Sequence, residues 1–241
     1  MTVKDHYDNH LGEFYSWMIG DFETRTIEQQ KYFASHNIQP VTDGAALDLG
    51  CGNGIQSISL ARTGFKVIAV DFSKQLLSEL NRNSAGLDIK TIEANFMDFS
   101  FIPDSAFDVI TCMGDTITHL SSSSDIKKLF QKSFSILIPQ GKLIISFRDL
   151  TVPLEGVNRF LPVKSDDTRI LTCFLEYFDN FVMVHDLLHE KESGQWTQKI
   201  SSYKKLRISE NKLITILKDC GFRIDSSEII NRMVHIIAVK E

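Results

Sequence analysis

From residue 45 onward, short apolar runs alternate with stretches whose apolar residues recur at helical spacing. The runs "ALDLG", "KVIAV", "IKTIEA", "FDVITCM" and "GKLIISF" predict strands, and "IQSISLART", "SKQLLSELNRN" and "DIKKLFQKSFSIL" between them predict helices. This alternation predicts βαβ units, hence a parallel sheet covered by helices on both faces. Gly64 closes the first of these helices and Ser73 caps the second. Ser124 or Asp125 opens the third, after a loop at "SSSS" (121–124), and Pro139-Gln140-Gly141 ends it.

The pattern changes after Phe147. "TRILTCFLEYF", "FVMVHDLLHEK" and "WTQKISSYKKLRIS" are strand-like and joined through "DN" and "ESGQ", which predicts an antiparallel meander inserted on the sheet. A last helix, "SENKLITILKDCGF", has Ser209 as N-cap and Gly221 at its C-terminal end, and "FRIDSSEII" with "MVHIIAVKE" forms a terminal hairpin. Residues 1–38 read as one or two helices. The predicted fold class is α/β: a doubly wound, mostly parallel seven-stranded sheet with a C-terminal antiparallel hairpin, an N-terminal helical segment and an inserted β meander.

Composition narrows the class. A chain of 241 residues with 43% hydrophobic content fills a sizeable core, and a net charge of −5 argues against a dedicated nucleic-acid binder. Cys51, Cys112, Cys173 and Cys220 form no CxxC pair and read as free thiols in a reducing, cytoplasmic setting. Neither a signal peptide nor a membrane span is expected. Oligomeric state is not legible.

Chemistry concentrates in "DLGCGNG" (48–54). Gly50, Gly52 and Gly54 follow a strand and open a helix, so backbone amides can approach a ligand closely. The dinucleotide spacing GxGxxG is not met, because Ile55 stands where its third glycine would fall; the spacing is GxGxG behind Asp48. Asp71 ends the second strand, where a carboxylate accepts from both hydroxyls of a ribose.

Asp48-Leu-Gly-Cys-Gly-Asn-Gly54, Asp71-Phe72, "EANFMDF" and "FDVITCMGDTITHL" together resemble the successive motifs of class I S-adenosylmethionine-dependent methyltransferases. The resemblance covers residues 45–150 and extends weakly to the C-terminus. It implies that the loop of Asp48, Gly50, Cys51, Gly52, Asn53 and Gly54 passes under the methionine part of S-adenosylmethionine. By the same resemblance Asp71 holds the ribose, Phe72 packs on adenine, Asn95 and Phe96 meet the adenine edge, and Met113 and Gly114 complete the cofactor site. The expected division is a helical lid at 1–38, a cofactor-binding half at 39–150, the meander at 151–207 as an acceptor lid, and the last helix and hairpin at 208–241.

The implied reaction is direct displacement onto a nitrogen or oxygen of a small molecule, releasing S-adenosylhomocysteine. "MGDTITHL" replaces the Asn/Asp-Pro-Pro-aromatic loop of base methylation, and no Pro-Cys pair is present, so nucleic-acid acceptors are not expected. His119 is a candidate base. Tyr15, Trp17, Asp115, Arg148, Tyr177, His185, Trp196 and Tyr203 are candidates for the acceptor pocket. No metal is expected, since four residues along a strand set His185 and His189 about 13 Å apart. Two other readings stay open: a nicotinamide-dependent oxidoreductase, and a non-catalytic module that only binds S-adenosylmethionine.

Overall fold

The computed structural model describes residues 2–100, 102 and 107–241. The N-terminal segment breaks into three α-helices, α1 (Val3–Asn9), α2 (Tyr15–Ile19) and α3 (Phe22–Ser35), with a 3-10 turn at Leu11–Glu13. That is more pieces than the pattern predicts. Gly20, at φ 92°, ends α2, and Asp21 caps α3 by accepting from the Thr24 amide at 2.8 Å.

Next come β1 (Ala45–Leu49), α4 (Ile55–Arg62), β2 (Lys66–Asp71), α5 (Lys74–Asn83), β3 (Ile89–Glu93), β4 (Phe107–Cys112), α6 (Ser123–Ile136) and β5 (Leu137–Phe147). The five strands are parallel in the order β3-β2-β1-β4-β5. Period-two alternation gives the sheet two apolar faces. Ala46, Val109 and Ile144 pack with Phe33 of α3, Ile58 of α4 and Leu77 of α5. Leu47, Ile110, Leu143 and Ile145 pack on the other side with Ile126, Leu129 and Phe130 of α6.

Two boundaries differ from expectation. Helix α6 starts from Ser122, whose hydroxyl accepts from the Asp125 amide at 3.2 Å, so neither Ser124 nor Asp125 is its cap. Pro139–Gly141 does not end the helix; it lies inside β5 as a kink with Gln140 at φ 65°, and the pairing with β4 shifts register there.

The inserted segment is a separate sheet of four strands rather than three. β6 (Phe160–Ser165), β7 (Arg169–Tyr177), β8 (Phe181–Glu192) and β9 (Gln195–Leu206) pair antiparallel in that order. β6 escapes the pattern because Pro162 interrupts it and most of its side chains are exposed, which an edge strand tolerates. Helix α7 (Glu210–Asp219) then packs Leu213 and Leu217 on the α6 face of the large sheet. The hairpin β10 (Phe222–Ile230) and β11 (Met233–Lys240) completes that sheet to seven strands, β11 running antiparallel to β5.

Gly54 caps α4 at φ 96°, and a Cβ there would stand 2.2 Å from Leu80 Cδ1. Both strain and overlap then oppose a side chain. Gly54→Ala is expected to lower stability by at least about 2 kcal/mol, seen as a lower urea midpoint with an unchanged slope.

Candidate active site

Strand order reverses at β1, whose successor β2 lies on one side and β4 on the other, so a crevice opens beyond the carboxyl ends of β1 and β4. The glycine loop floors it. Amides of Gly50 and Cys51 donate to the Val70 carbonyl at 2.8 and 3.0 Å, which lashes the loop to β2. Beneath it, buried Asp48 accepts from Ser57 at 2.6 Å and Thr111 at 2.7 Å. Burial nonetheless pushes its carboxyl up to about 6.

Asp71, at the end of β2, is buried and accepts from the Gly52 amide at 2.9 Å and the Ser73 amide at 2.8 Å. Burial raises its pKa, and those two amides pull against it. A carboxylate takes about four hydrogen bonds, so each Asp71 oxygen keeps room for one more donor. Phe72 is half-buried beside it, edge-on to Tyr7 at 5.4 Å.

The N-terminal segment roofs this floor. Tyr15 lies over Gly52, its hydroxyl 3.5 Å from where a Cβ would be, and Asn53 donates to Ser16 at 3.1 Å. Tyr7 meets Tyr15, Phe72 and His119 at ring separations of 6.2, 5.4 and 5.9 Å. Burial lifts the Tyr15 hydroxyl to about 12 and that of Tyr7 well above the phenol range, so both stay protonated donors.

The wall opposite is the inner face of the meander. Alternation puts Ser201, Tyr203 and Lys205 of β9 on that face, with Val182, Val184 and Asp186 of β8. His6 of α1 stacks on Tyr203 at 4.2 Å, hydrogen-bonds Ser201 at 2.7 Å and pairs with buried Asp186 at 3.2 Å. Cys173 donates to the same Asp186 at 2.9 Å.

Asp115, at φ 76° just past β4, ties the walls together. Its Oδ1 accepts from the Arg148 amide at 3.0 Å and Thr118 Oγ1 at 3.1 Å, and its Oδ2 accepts from Arg148 Nη1 at 3.3 Å and from Lys205 Nζ. Burial opposes its charge, but Lys205 and Arg148 hold the carboxyl below the usual carboxylate range. With four hydrogen bonds accepted, Asp115 anchors its neighbours and has no free lone pair for an acceptor.

Several expected contacts fall elsewhere. Phe96 is buried in the core with Leu49 and Val70, and exposed Asn95 turns its carbonyl oxygen to the Met97 amide at 2.9 Å. Met113 is buried with Val109 and Ile144, touched by Gln29 at 3.8 Å, whereas Gly114 is exposed at φ 72°. His185 points to the outer face, bonded to Ser202 at 2.7 Å, because it is one residue out of phase with Val184 and Asp186. Trp196 sits near the far hairpin turn, 46% exposed, under Lys191. Tyr177 is on the inner face but lies against Arg207, and Trp17 donates to Asp166 at 2.5 Å in the seam between lid and meander.

His119 borders the crevice between Tyr7 and Tyr203. Burial, reinforced by Lys205, pushes its pKa down to about 3. An imidazole held neutral in this way is a weak proton acceptor. Lys205 was missed although it stands two residues after Tyr203, the spacing that puts both on one face of a strand. Among the described residues no three His, Cys, Asp or Glu side chains gather to hold a metal ion, and no helix is long and apolar enough to cross a membrane.

Residues 46–141 match the sequence profile of a family described as "Methyltransferase domain". The chain is 34% identical over 124 residues to a cypemycin N-terminal methyltransferase of Streptomyces sp, covering 52% of this chain and 48% of that one. It is 28% identical over 161 residues to a glycine/sarcosine N-methyltransferase of Aphanothece halophytica, covering 63% and 59%. The chain thus spans about half the length of these curated relatives. The CcbJ methyltransferase of Streptomyces caelestis superposes with a TM-score of 0.80 over 99% of both chains at 15% identity. Residues 46–141 are thus similar to a methyltransferase domain, and the chain as a whole shares the fold of a solved methyltransferase.

The raised pKa of Asp48 has a stability consequence. Its folded value lies above its unfolded one, so its contribution is complete below about pH 4 and is lost as pH rises toward 6. Asn at this position removes the charge while its Oδ1 accepts from one hydroxyl and its Nδ2 donates to the other. The stability of Asp48→Asn relative to the parent is expected to climb by up to about 3 kcal/mol between pH 4 and 7 in denaturant titrations, and a flat difference would refute the assignment.

Proposed function

We propose that this protein transfers the methyl group of S-adenosylmethionine to a nitrogen of a small-molecule acceptor. The observation that carries the reading is the Asp71 carboxylate, which keeps spare lone pairs beside a glycine loop with close backbone access at the strand-order reversal. S-adenosylmethionine supplies a methyl on a sulfonium; the methyl–sulfur bond breaks onto sulfur as the nitrogen lone pair forms the new bond, leaving S-adenosylhomocysteine. Nitrogen is preferred over oxygen because two of the curated relatives are named as glycine/sarcosine N-methyltransferases.

The chain's own residues position and dry the reactants. Gly50 to Gly54 and Asp71 hold the cofactor, Tyr7 and Tyr15 roof it, and Tyr203 with His119 closes the acceptor side. His119 is a weak base, since burial disfavours its protonated form. The amine attacks from its unprotonated form and its proton leaves to solvent afterwards. Excluding water and fixing the approach line then supply most of the rate.

Two measurements test this. By calorimetry S-adenosylhomocysteine should bind and NAD should not, and Asp71→Asn should weaken the former about 10- to 100-fold as charge-assisted contacts to the ribose become neutral ones. Tight NAD binding instead would return the chain to the oxidoreductase reading. His119→Gln should lower kcat by less than about 30-fold and leave the shape of the pH profile unchanged, whereas a base would cost about 10²–10⁴ and remove the acidic limb.

A further inference from the structure

The meander packs only one of its two faces. Leu171, Val184 and Tyr203 point inward and are buried, whereas the outward residues Phe160 of β6, Phe174 of β7, Met183 and Leu187 of β8 and Ile200 of β9 all keep solvent access. Ile200 is 58% and Phe160 51% exposed, and the segment leading into β6 adds exposed Val152 and Val157. An antiparallel sheet with one solvated face normally makes that face polar. Here the outward positions of β7, β8 and β9 carry Glu176 and Lys204 near one end and Lys191 near the other, with no Asp, Glu, Lys or Arg between them. A face with uncharged, partly aromatic centre and charged ends has the anatomy of a protein interface.

Strand register makes the face complementary to itself. Met183 of β8 lies opposite Glu176 of β7 on one side and Lys204 of β9 on the other, and His185 lies likewise between Phe174 and Ser202. A two-fold axis along β8 exchanges these flanks between two copies. Lys204 then faces Glu176 of the partner subunit, and the pair occurs twice. Within the described chain Lys204 makes no ion pair, its ammonium lying 4.5 Å from the centre of the Phe181 ring. Glu176 meets His185 at 3.3 Å and keeps its other oxygen for a second partner. The same operation brings Phe174 over a groove of about 390 Å³ bordered by Met183, Ile200, Ser202 and Lys204.

The area suffices. Four strands about 4.8 Å apart and some nine residues long present a face of about 19 by 30 Å, so two such faces cover about 1,100 Å² in projection, above the roughly 1,000 Å² that a specific interface needs.

We propose that the outer face of the meander is the interface of a two-fold dimer of this chain, with β8 on the axis. Pairing there backs the crevice wall from behind, and the proposal does not depend on which reaction the crevice performs.

Sedimentation equilibrium of the full chain tests it. The parent is expected at twice the mass of one chain, with a dissociation constant below about 10 μM. Ile200→Glu places a charge at the uncharged centre and should raise that constant at least about 100-fold, with the fold checked by circular dichroism. Lys204→Glu and Glu176→Lys, at exposed side chains, should each raise it at least about tenfold, because both cross-axis contacts become like-charged. An equimolar mixture of these two variants should dimerise within about threefold of the parent, since each mixed dimer restores two opposite-charge contacts. The charge reversals carry the test if Ile200→Glu does not fold. A parent that stays monomeric overturns the proposal, including one whose outer face instead takes up lipid vesicles or another protein. So does a dimer that folded Ile200→Glu leaves intact, or a mixture that associates no better than its two components.

Discussion

The junction between the large sheet and the meander depends on one buried carboxylate, Asp115, whose four hydrogen bonds reach the 3-10 turn after β4, the end of β5 and the inner face of β9. Beside that ionic knot, Arg207 donates to the Leu150 and Thr151 carbonyls and so ties the same end of the meander to the segment after β5. Removing a partner from a buried ion pair typically costs about 3–5 kcal/mol, because the remaining charge stays buried. The same knot holds the Lys205 ammonium over the Tyr203 ring and leaves the Arg148 side chain half exposed.

The roof is held from two sides. Toward the large sheet, Lys4 donates to the Phe72 carbonyl at 3.4 Å, Gln75 to the Gly12 carbonyl at 2.8 Å, and Ser16 to Glu79. Toward the meander, His6 engages Ser201 and Asp186, Trp17 donates to Asp166, and Lys164 donates to the Trp17 carbonyl. Apolar contacts of Leu11 and Phe14 with Leu171 and Leu188 back these bonds. A roof fastened at both edges excludes water from the space between, which strengthens every charge interaction inside it.

Much of the frame was legible because it follows from local periodicity. Five parallel strands, the helices between them, the Ser73 and Ser209 caps and the terminal hairpin all follow from patterns a few residues long. Asp71 was also legible, since strand ends of this fold class have fixed positions relative to the glycine loop. The acceptor wall was harder. Whether an aromatic or histidine in a strand faces in or out turns on a phase of one residue, and His185 has the wrong phase while Tyr203 has the right one. Phe96 is an apolar residue beside the motif that the core takes, and Lys205 is a charged residue in a charged run whose burial only its partner explains.

The sequence by itself determined the order and type of most elements, the glycine loop and the carboxylate that follows it, because these depend on steric freedom and hydrophobic spacing within short windows. Tertiary structure decided the partners. Four segments far apart in the chain, around residues 6, 115, 148 and 205, meet in one crevice, and only their meeting saturates Asp115, buries His119 and stacks His6 on Tyr203. Hydrogen-bond capacity and desolvation belong to the assembled surroundings of a side chain. No local window of sequence contains them.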